Sequence, residues 1–463
     1  MNHLSRSFCV LVLCLFVTFT SLGQKATRQP VIEERNVRAE MNFLASDAMQ
    51  GRGSGSLFER VAAEYIGSQF MQFGLEPAGE NGWDGKPSYV QTVTVPGREM
   101  LSTVSVSGLN EITYGRDLVV FGMSSKETSG PLQKLEIGGT AAKGSIVLLK
   151  VDSDAKFGGL QPVLAKLRQD GAAAIILGET KEARANWSDL AGQKISLSRR
   201  SGNLFMLSSQ TFENATKLAD GTMININGQF APGANTYTWN AIGKITGSDP
   251  TLGSQVILIS SHLDHLGVRQ NAPTDDKIYN GADDDASGSV AVLELARVLS
   301  SGAKPKRTVY FVCFGSEEAG GFGANYFVSN LPFPKEKLVA NLEFEMIGRP
   351  DTAVKPEELW LTGFERSNLG PELARRGAKL VQDPHPDQNF FQRSDNYTLA
   401  RQGIIAHTVS SFGLHKDYHQ ASDEVRTIDF VHMTRSINSM VEPIRWLINS
   451  NFVPAWVEGK RPS

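Results

Sequence analysis

From about residue 236 onward, short apolar runs alternate with amphipathic stretches, and one apolar run after another ends in a polar cluster. Such strand–helix alternation is the signature of a mostly parallel α/β sheet whose crossovers are helices. Residues 255–259, 308–314, 338–344 and 403–409 are the candidate strands, and 287–299 and 430–448 the candidate helices. In open sheets of this kind ligands bind at the carboxyl ends of the strands, so the clusters there carry the functional information.

The remainder of the 463-residue chain divides by pattern. Residues 1–23 read as a secretory signal: Arg6 precedes an apolar run over 8–19, and Ser21-Leu22-Gly23 supplies small residues before a cut ahead of Gln24. The run is shorter than the ~20 residues needed to span a bilayer, so no stable membrane insertion is expected once it is removed. The expected destination is the periplasm or the exterior. Cys9 and Cys14 leave with the signal, and Cys313 lies in an apolar strand, where a buried, inert thiol is expected. One remaining cysteine makes no internal disulfide, so core burial must supply the stability.

Residues 24–114 form a first segment. It holds a helix over 33–44, a Gly-rich loop over 50–56, a capping box of Ser56 with Glu59 ahead of a second helix, and a strand over 89–95. Residues 115–235 read as an inserted, smaller β-rich domain with strands at 144–150 and 172–177 and one helix over 160–170. No His, Asp or Glu cluster with ligand spacing falls in it. Residues 236–463 are the main segment, and the last ten residues read as frayed. Lys plus Arg number 46 against 49 Asp plus Glu, a net charge of -3, which argues against an electrostatic nucleic-acid binder.

Five clusters follow the strands of the main segment. His262 and Asp264 in Ser261-His-Leu-Asp-His265 are two apart, so an extended backbone puts both on one face. Asp283, Asp284 and Asp285 repel one another unless a cation neutralises them. Glu317 with Glu318, Glu343 with Glu345, and His415 to His419 with Asp423 beyond complete the set. Imidazole and carboxylate without thiolate is a ligand set for hydrolytic zinc or a similar divalent ion, with a surplus acid left to act as base. No Gly-x-Ser-x-Gly elbow, no His-Glu-x-x-His helix and no Gly-x-Gly-x-x-Gly after a strand is present, which removes the commonest competing chemistries.

Taken in order, Ser-His-Leu-Asp-His (261–265), Gly-Ala-Asp-Asp-Asp-Ala-Ser-Gly (281–288), Gly-Ser-Glu-Glu-Ala-Gly (315–320), Glu-Met-Ile-Gly-Arg (345–349) and Asp-Tyr-His (417–419) resemble the co-catalytic two-zinc exopeptidases. That family includes bacterial leucyl aminopeptidases, glutamate carboxypeptidase and the transferrin receptor. The stretch over 44–55 also resembles its N-terminal segment, and 115–235 its inserted protease-associated domain. The resemblance implies a mostly parallel mixed sheet flanked by helices and two Zn²⁺ per chain. It implies that His262 binds one metal with Asp264 orienting it, that Asp284 bridges both, that Glu318 is a ligand of the first metal, and that His419 completes the second. Glu317 would be the general base, Tyr418 a donor to the developing oxyanion, and Asp423 a partner of His419. His265 and His415 are left as structural neighbours.

One departure stands out. The family usually has Asp before Met-Ile-Gly-Arg, and this chain has Glu345; it is expected to remain a ligand, with Glu343 as the alternative. The expected activity is that of an aminopeptidase acting on peptides with a free N-terminus. A carboxypeptidase of the same family would need Arg349, Arg366 or Arg393 to hold a terminal carboxylate. A dead binding scaffold would need lost ligands, and every ligand position keeps a metal-competent side chain.

Overall fold

The structure is a computed structural model that describes residues 31–82, 84–109, 112–198 and 202–462. The signal segment, with Cys9 and Cys14, lies outside them. The chain forms two compact units, one from the residues up to Thr92 together with Trp239 onward, the other from Val93–Thr238.

The first unit is built on a mixed sheet. Seven of its nine strands are β1 (Thr236–Ile245), β2 (Val256–His262), β3 (Thr308–Phe314), β4 (Leu338–Phe344), β5 (Leu359–Leu361), β6 (Leu380–Gln382) and β7 (Ala406–Ser410), with Glu76–Pro77 and Val90–Val95 both paired to β1. They lie in the order β1-β3-β2-β4-β7-β5-β6. β3, β2, β4 and β7 are mutually parallel, whereas β1 runs antiparallel to β3 and β5 antiparallel to β7. The parallel strands are buried on both faces, so they read as unbroken apolar runs rather than as alternation.

Side chains at period two therefore enter two different cores. Ile257, Ile259, Val309 and Phe311 pack with α1 (Glu34–Leu44), α2 (Leu57–Gln72), α3 (Gly288–Ser300) and the long last helix, Phe430–Asn449. Val256, Leu258, Tyr310 and Val312 pack on the other side with the helices Phe322–Ser329 and Asn396–Arg401. Ser56 caps α2 by accepting from the backbone of Phe58 and Glu59. The Glu59 side chain turns back to the N–H of Gly55 at 2.7 Å, one residue ahead of the cap. Cys313 is fully buried, and burial pushes its thiol up to about 12.

The expectation of a frayed end is corrected for residues 455–457. Trp456 donates its indole N–H to Gly403 O at 3.1 Å, and Val457 N donates to Arg366 O at 2.7 Å. A bulky ring that finds apolar neighbours and a hydrogen-bond partner docks instead of fraying.

The second unit holds a seven-stranded sheet in the order Glu99–Ser107, Met223–Pro232, Glu127–Glu136, Ile146–Lys150, Ala174–Gly178, Leu204–Leu207, Leu118–Gly122. Its helix Gln161–Asp170 covers one face through Leu164 and Leu167. The unit begins at Val93, ahead of the composition change at 115. Its edge strand Glu99–Ser107 exposes most of its side chains, so no apolar run marks it in sequence.

Candidate metal centre

The four parallel strands deliver their clusters to one edge of the sheet. β2 ends at His262, β3 is followed by Ser316, Glu317 and Glu318, and β4 by Glu345; the chain beyond β7 leads to His419. The acid triplet sits just before α3.

The three aspartates divide their labour. Asp285 ties the loops together: its Oδ1 accepts from Gly288 N and Met346 N at 3.0 Å each, and its Oδ2 from His262 N at 3.3 Å. Asp283 Oδ1 accepts from Gly348 N at 2.7 Å, and its Oδ2 lies 2.8 Å from His415 Nε2. Asp284 alone sends its carboxylate into the centre. Its Oδ1 lies 3.2 Å from His262 Nε2, and its Oδ2 lies 3.2 Å from His419 Nε2. His419 Nε2 is also 3.2 Å from Glu318 Oε1. Two donor groups, His262–Asp284–Glu345 and His265–Asp284–Glu318, each converge closely enough to hold one cation.

The spacing fits zinc. Tetrahedral bonds of ~2.0–2.1 Å put neighbouring donors about 3.3 Å apart, close to the three 3.2 Å separations found. Two of the atoms that converge there, His265 Nδ1 and Glu318 Oε1, are buried 2.8 Å apart with no further hydrogen-bond partner. Buried polar atoms are normally paired, and unpaired donors aimed at a common point are what a cation site requires. Glu345, not Glu343, joins His262 and Asp284. The Glu343 carboxylate is taken up by Asn396 N at 2.5 Å and the Thr408 hydroxyl at 3.3 Å.

Asp264 and Asp423, expected beside histidines, both accept from backbone N–H groups. Asp264 Oδ1 lies 3.7 Å from His262 Nδ1, beyond hydrogen-bond reach. The carboxylate accepts from Glu317 N at 3.0 Å, Glu318 N at 3.3 Å and the Ser54 hydroxyl at 2.5 Å. Asp423 is likewise not at His419. It accepts from Asp283 N and Asp284 N at 3.1 Å and from Arg349 Nη2 at 3.0 Å, which holds the triplet in register. His415 belongs to this framework through Asp283. Tyr418 stacks on the His419 ring, with centroids 3.9 Å apart, and its hydroxyl is 3.4 Å from Arg393 Nη2.

Sequence reading passed over three further residues. Arg52, 1% exposed, donates to the carbonyls of Leu44, Leu263, Asn280 and Gly281 at 2.7–2.9 Å. Glu59 Oε1 accepts from Ser316 N at 2.8 Å, next to Glu317 and Glu318. Asp395, 2% exposed, leaves Oδ2 without a partner and lies within the electrostatic reach of Glu317. A single Asp ahead of a short helix looks like a cap in sequence, which hides it.

Burial raises Glu317 and Asp395 well above the usual carboxylate range, and neighbouring acids add to both shifts. It pushes Glu343 up to about 7 and Glu345 up to about 8. Against the lowering effect of burial, Asp284 and Glu318 push His419 up to about 9. A crowd of buried acids with imidazoles between them is an environment that divalent cations offset. Beside Glu345 opens an aromatic pocket lined by Trp360, Phe390, Phe412 and Tyr418, with Arg393 at its edge.

A mixed sheet with acid and imidazole clusters gathered at one edge, and a carboxylate shared between two donor groups, is an arrangement able to hold two cations. Residues 240–442 match the model of peptidase family M28. Leupeptin-inactivating enzyme 1 of Streptomyces exfoliatus is 34% identical over 233 residues, 47% of this chain and 50% of that protein. An aminopeptidase of Pseudomonas aeruginosa is 37% identical over 117 residues, 25% of this chain and 19% of that protein. The chain thus spans half or less of the length of these relatives. Among solved structures, an aminopeptidase from Aneurinibacillus sp. strain AM-1 superposes over 91% of this chain and 95% of its own, with a TM-score of 0.53 and 17% identity. A zinc aminopeptidase from Bacillus subtilis superposes over 91% and 97%, with a TM-score of 0.53 and 18% identity. At these identities the likeness is one of fold.

Proposed function

We propose that the chain is an exported, zinc-dependent aminopeptidase that removes the first residue of peptides. The observation that carries this reading is Asp284 presenting its two oxygens to two imidazole-containing donor groups. His262, Asp284 and Glu345 would hold one zinc, and Asp284, Glu318 and His419 the other. Bound there, zinc polarises the scissile carbonyl and lowers the pKa of an attacking water. Glu317 takes the proton from that water and passes it to the leaving amine. Burial raises the Tyr418 hydroxyl above its ordinary range, so it stays protonated and donates to the developing oxyanion. The segment 93–238 is read as a protease-associated domain.

Charge favours an N-terminal amine over a C-terminal carboxylate. Glu317, Glu343, Glu345 and Asp395 crowd the centre, and a substrate ammonium relieves their repulsion. Of the three arginines that a carboxypeptidase could use, two are engaged elsewhere, and Arg393 lines the pocket beside Glu345. Arg349 is bound to Asp417 and Asp423, and Arg366 donates to Lys460 O. The aromatic pocket suits an apolar first side chain. The test compares Leu-Gly with N-acetyl-Leu-Gly, with and without chelator. Chelator-sensitive cleavage of the free peptide alone supports the reading, and equal cleavage of both peptides overturns it.

A further inference from the structure

We infer that His265 is a metal ligand, a fourth protein donor beside Asp284, Glu318 and His419. The inference rests on the two-metal reading above and deepens it.

His265 is fully buried, and neither ring nitrogen has a hydrogen-bond partner. A buried imidazole carries one N–H donor and one lone pair, and a metal at Nδ1 would take up the lone pair. Its Nδ1 lies 2.8 Å from Glu318 Oε1 and 3.9 Å from Asp284 Oδ2. His265 Nδ1 and Glu318 Oε1 form a close imidazole–carboxylate pair, and both atoms converge with an oxygen of Asp284 tightly enough to hold one cation. Three donors drawn to one position is the arrangement of co-ligands. The ring meets His419 edge-on, with centroids 5.7 Å apart, so both imidazoles border the same position.

The backbone fixes this orientation. His265 N donates to Arg52 O at 3.1 Å, and Ser54 N donates to His265 O at 3.3 Å. The ring lies against Gly281, whose φ is +59°, and a Cβ at that residue would collide with Cγ of His265. Glycine at 281 thus leaves the space the ring occupies.

The consequence is asymmetry between the two metal positions. One has four protein donors, the count of a closed structural zinc site; the other, His262–Asp284–Glu345, has three and keeps a position open. The four-donor position should hold zinc more tightly.

The test is zinc release from the loaded full-length protein titrated with a chelator, read as zinc per chain. The wild type should release its two ions in separate steps. His265→Gln, which keeps volume and polarity but not the imidazole, should weaken the tighter step at least ~10-fold, the lower end of what even outer partners of metal ligands cost. The control His415→Gln, which touches Asp283, should keep the two-step release. Where His265→Gln folds poorly, His265→Asn and the zinc-dependent rise in Tm give the same comparison. An unchanged tighter step in a folded variant, or weakening of the looser step alone, overturns the role of His265. A wild type that binds no zinc overturns the two-metal reading itself.

Discussion

Asp264 carries the backbone of Glu317: the carboxylate oxygen accepts that residue's N–H at 3.0 Å across 53 positions of sequence. The general base of the proposed reaction is therefore aimed by an acid on the neighbouring strand end, and the same acid also holds Glu318 N. Base and ligand move as one unit, because one carboxylate fixes both peptide N–H groups.

Glu317→Gln should abolish turnover while zinc content stays near wild type. A general base contributes typically ~10²–10⁴-fold, and an amide cannot accept the proton. Asp264→Asn should also lower kcat, through misplacement of the Glu317 loop, and should shift zinc affinity because Glu318 N shares the support. Steady-state kinetics with zinc analysis separates the two variants. Glu317→Gln with more than about a tenth of wild-type kcat would remove it from the role of base.

Asp284→Asn should lose both ions together, since one carboxylate serves both groups. Asp283→Asn should keep zinc and instead lose stability, because it disturbs the acceptor for Gly348 N and the partner of His415. Breaking a buried charged network of this kind costs about 3–5 kcal/mol. Metal analysis and urea unfolding on the two variants read the difference. Metal loss in Asp283→Asn with Asp284→Asn unaffected would move the bridge by one residue.

His407 sets part of the acid limit of stability. It is fully buried, with Nδ1 2.7 Å from Thr362 O and Nε2 2.7 Å from the Ser367 hydroxyl, and burial lowers it from 6.5 to about 4. The unfolded chain binds a proton that the folded chain refuses, so this contribution is present above pH 6.5 and is lost as pH falls towards 4. The stability gap between wild type and His407→Gln should therefore narrow by about 2 kcal/mol from pH 7 to pH 5. Zinc effects common to both proteins cancel in that gap. Urea unfolding at each pH measures it, and a pH-independent gap would exclude the linkage.

The strands 308–314 and 338–344 are legible to the residue because buried parallel strands are unbroken apolar runs. The clusters after them are legible because strand ends are where such sheets place their chemistry. What each acid holds is not. Asp264, Asp423 and Asp283 look alike in sequence, and each spends its oxygens on N–H groups that only the fold brings near. The same holds for Asp395 and Trp456, whose surroundings come from distant stretches. The start of the insert is hidden for a different reason: an edge strand with mostly exposed side chains carries little apolar signal.

Arg52 lies before the insert, and three of its four carbonyl partners, Leu263, Asn280 and Gly281, lie after it. The loops that present His262 and the acid triplet are thus fastened by a guanidinium made some two hundred residues earlier, as the 211-residue separation from Leu263 records. During synthesis the earlier segment must wait, its cation unspent, while all of residues 93–238 emerge. Because the entropy of closing a loop rises only with the logarithm of its length, that wait adds little to the free energy of closure. The donor set of the centre can therefore be complete only after the chain has been made through His419.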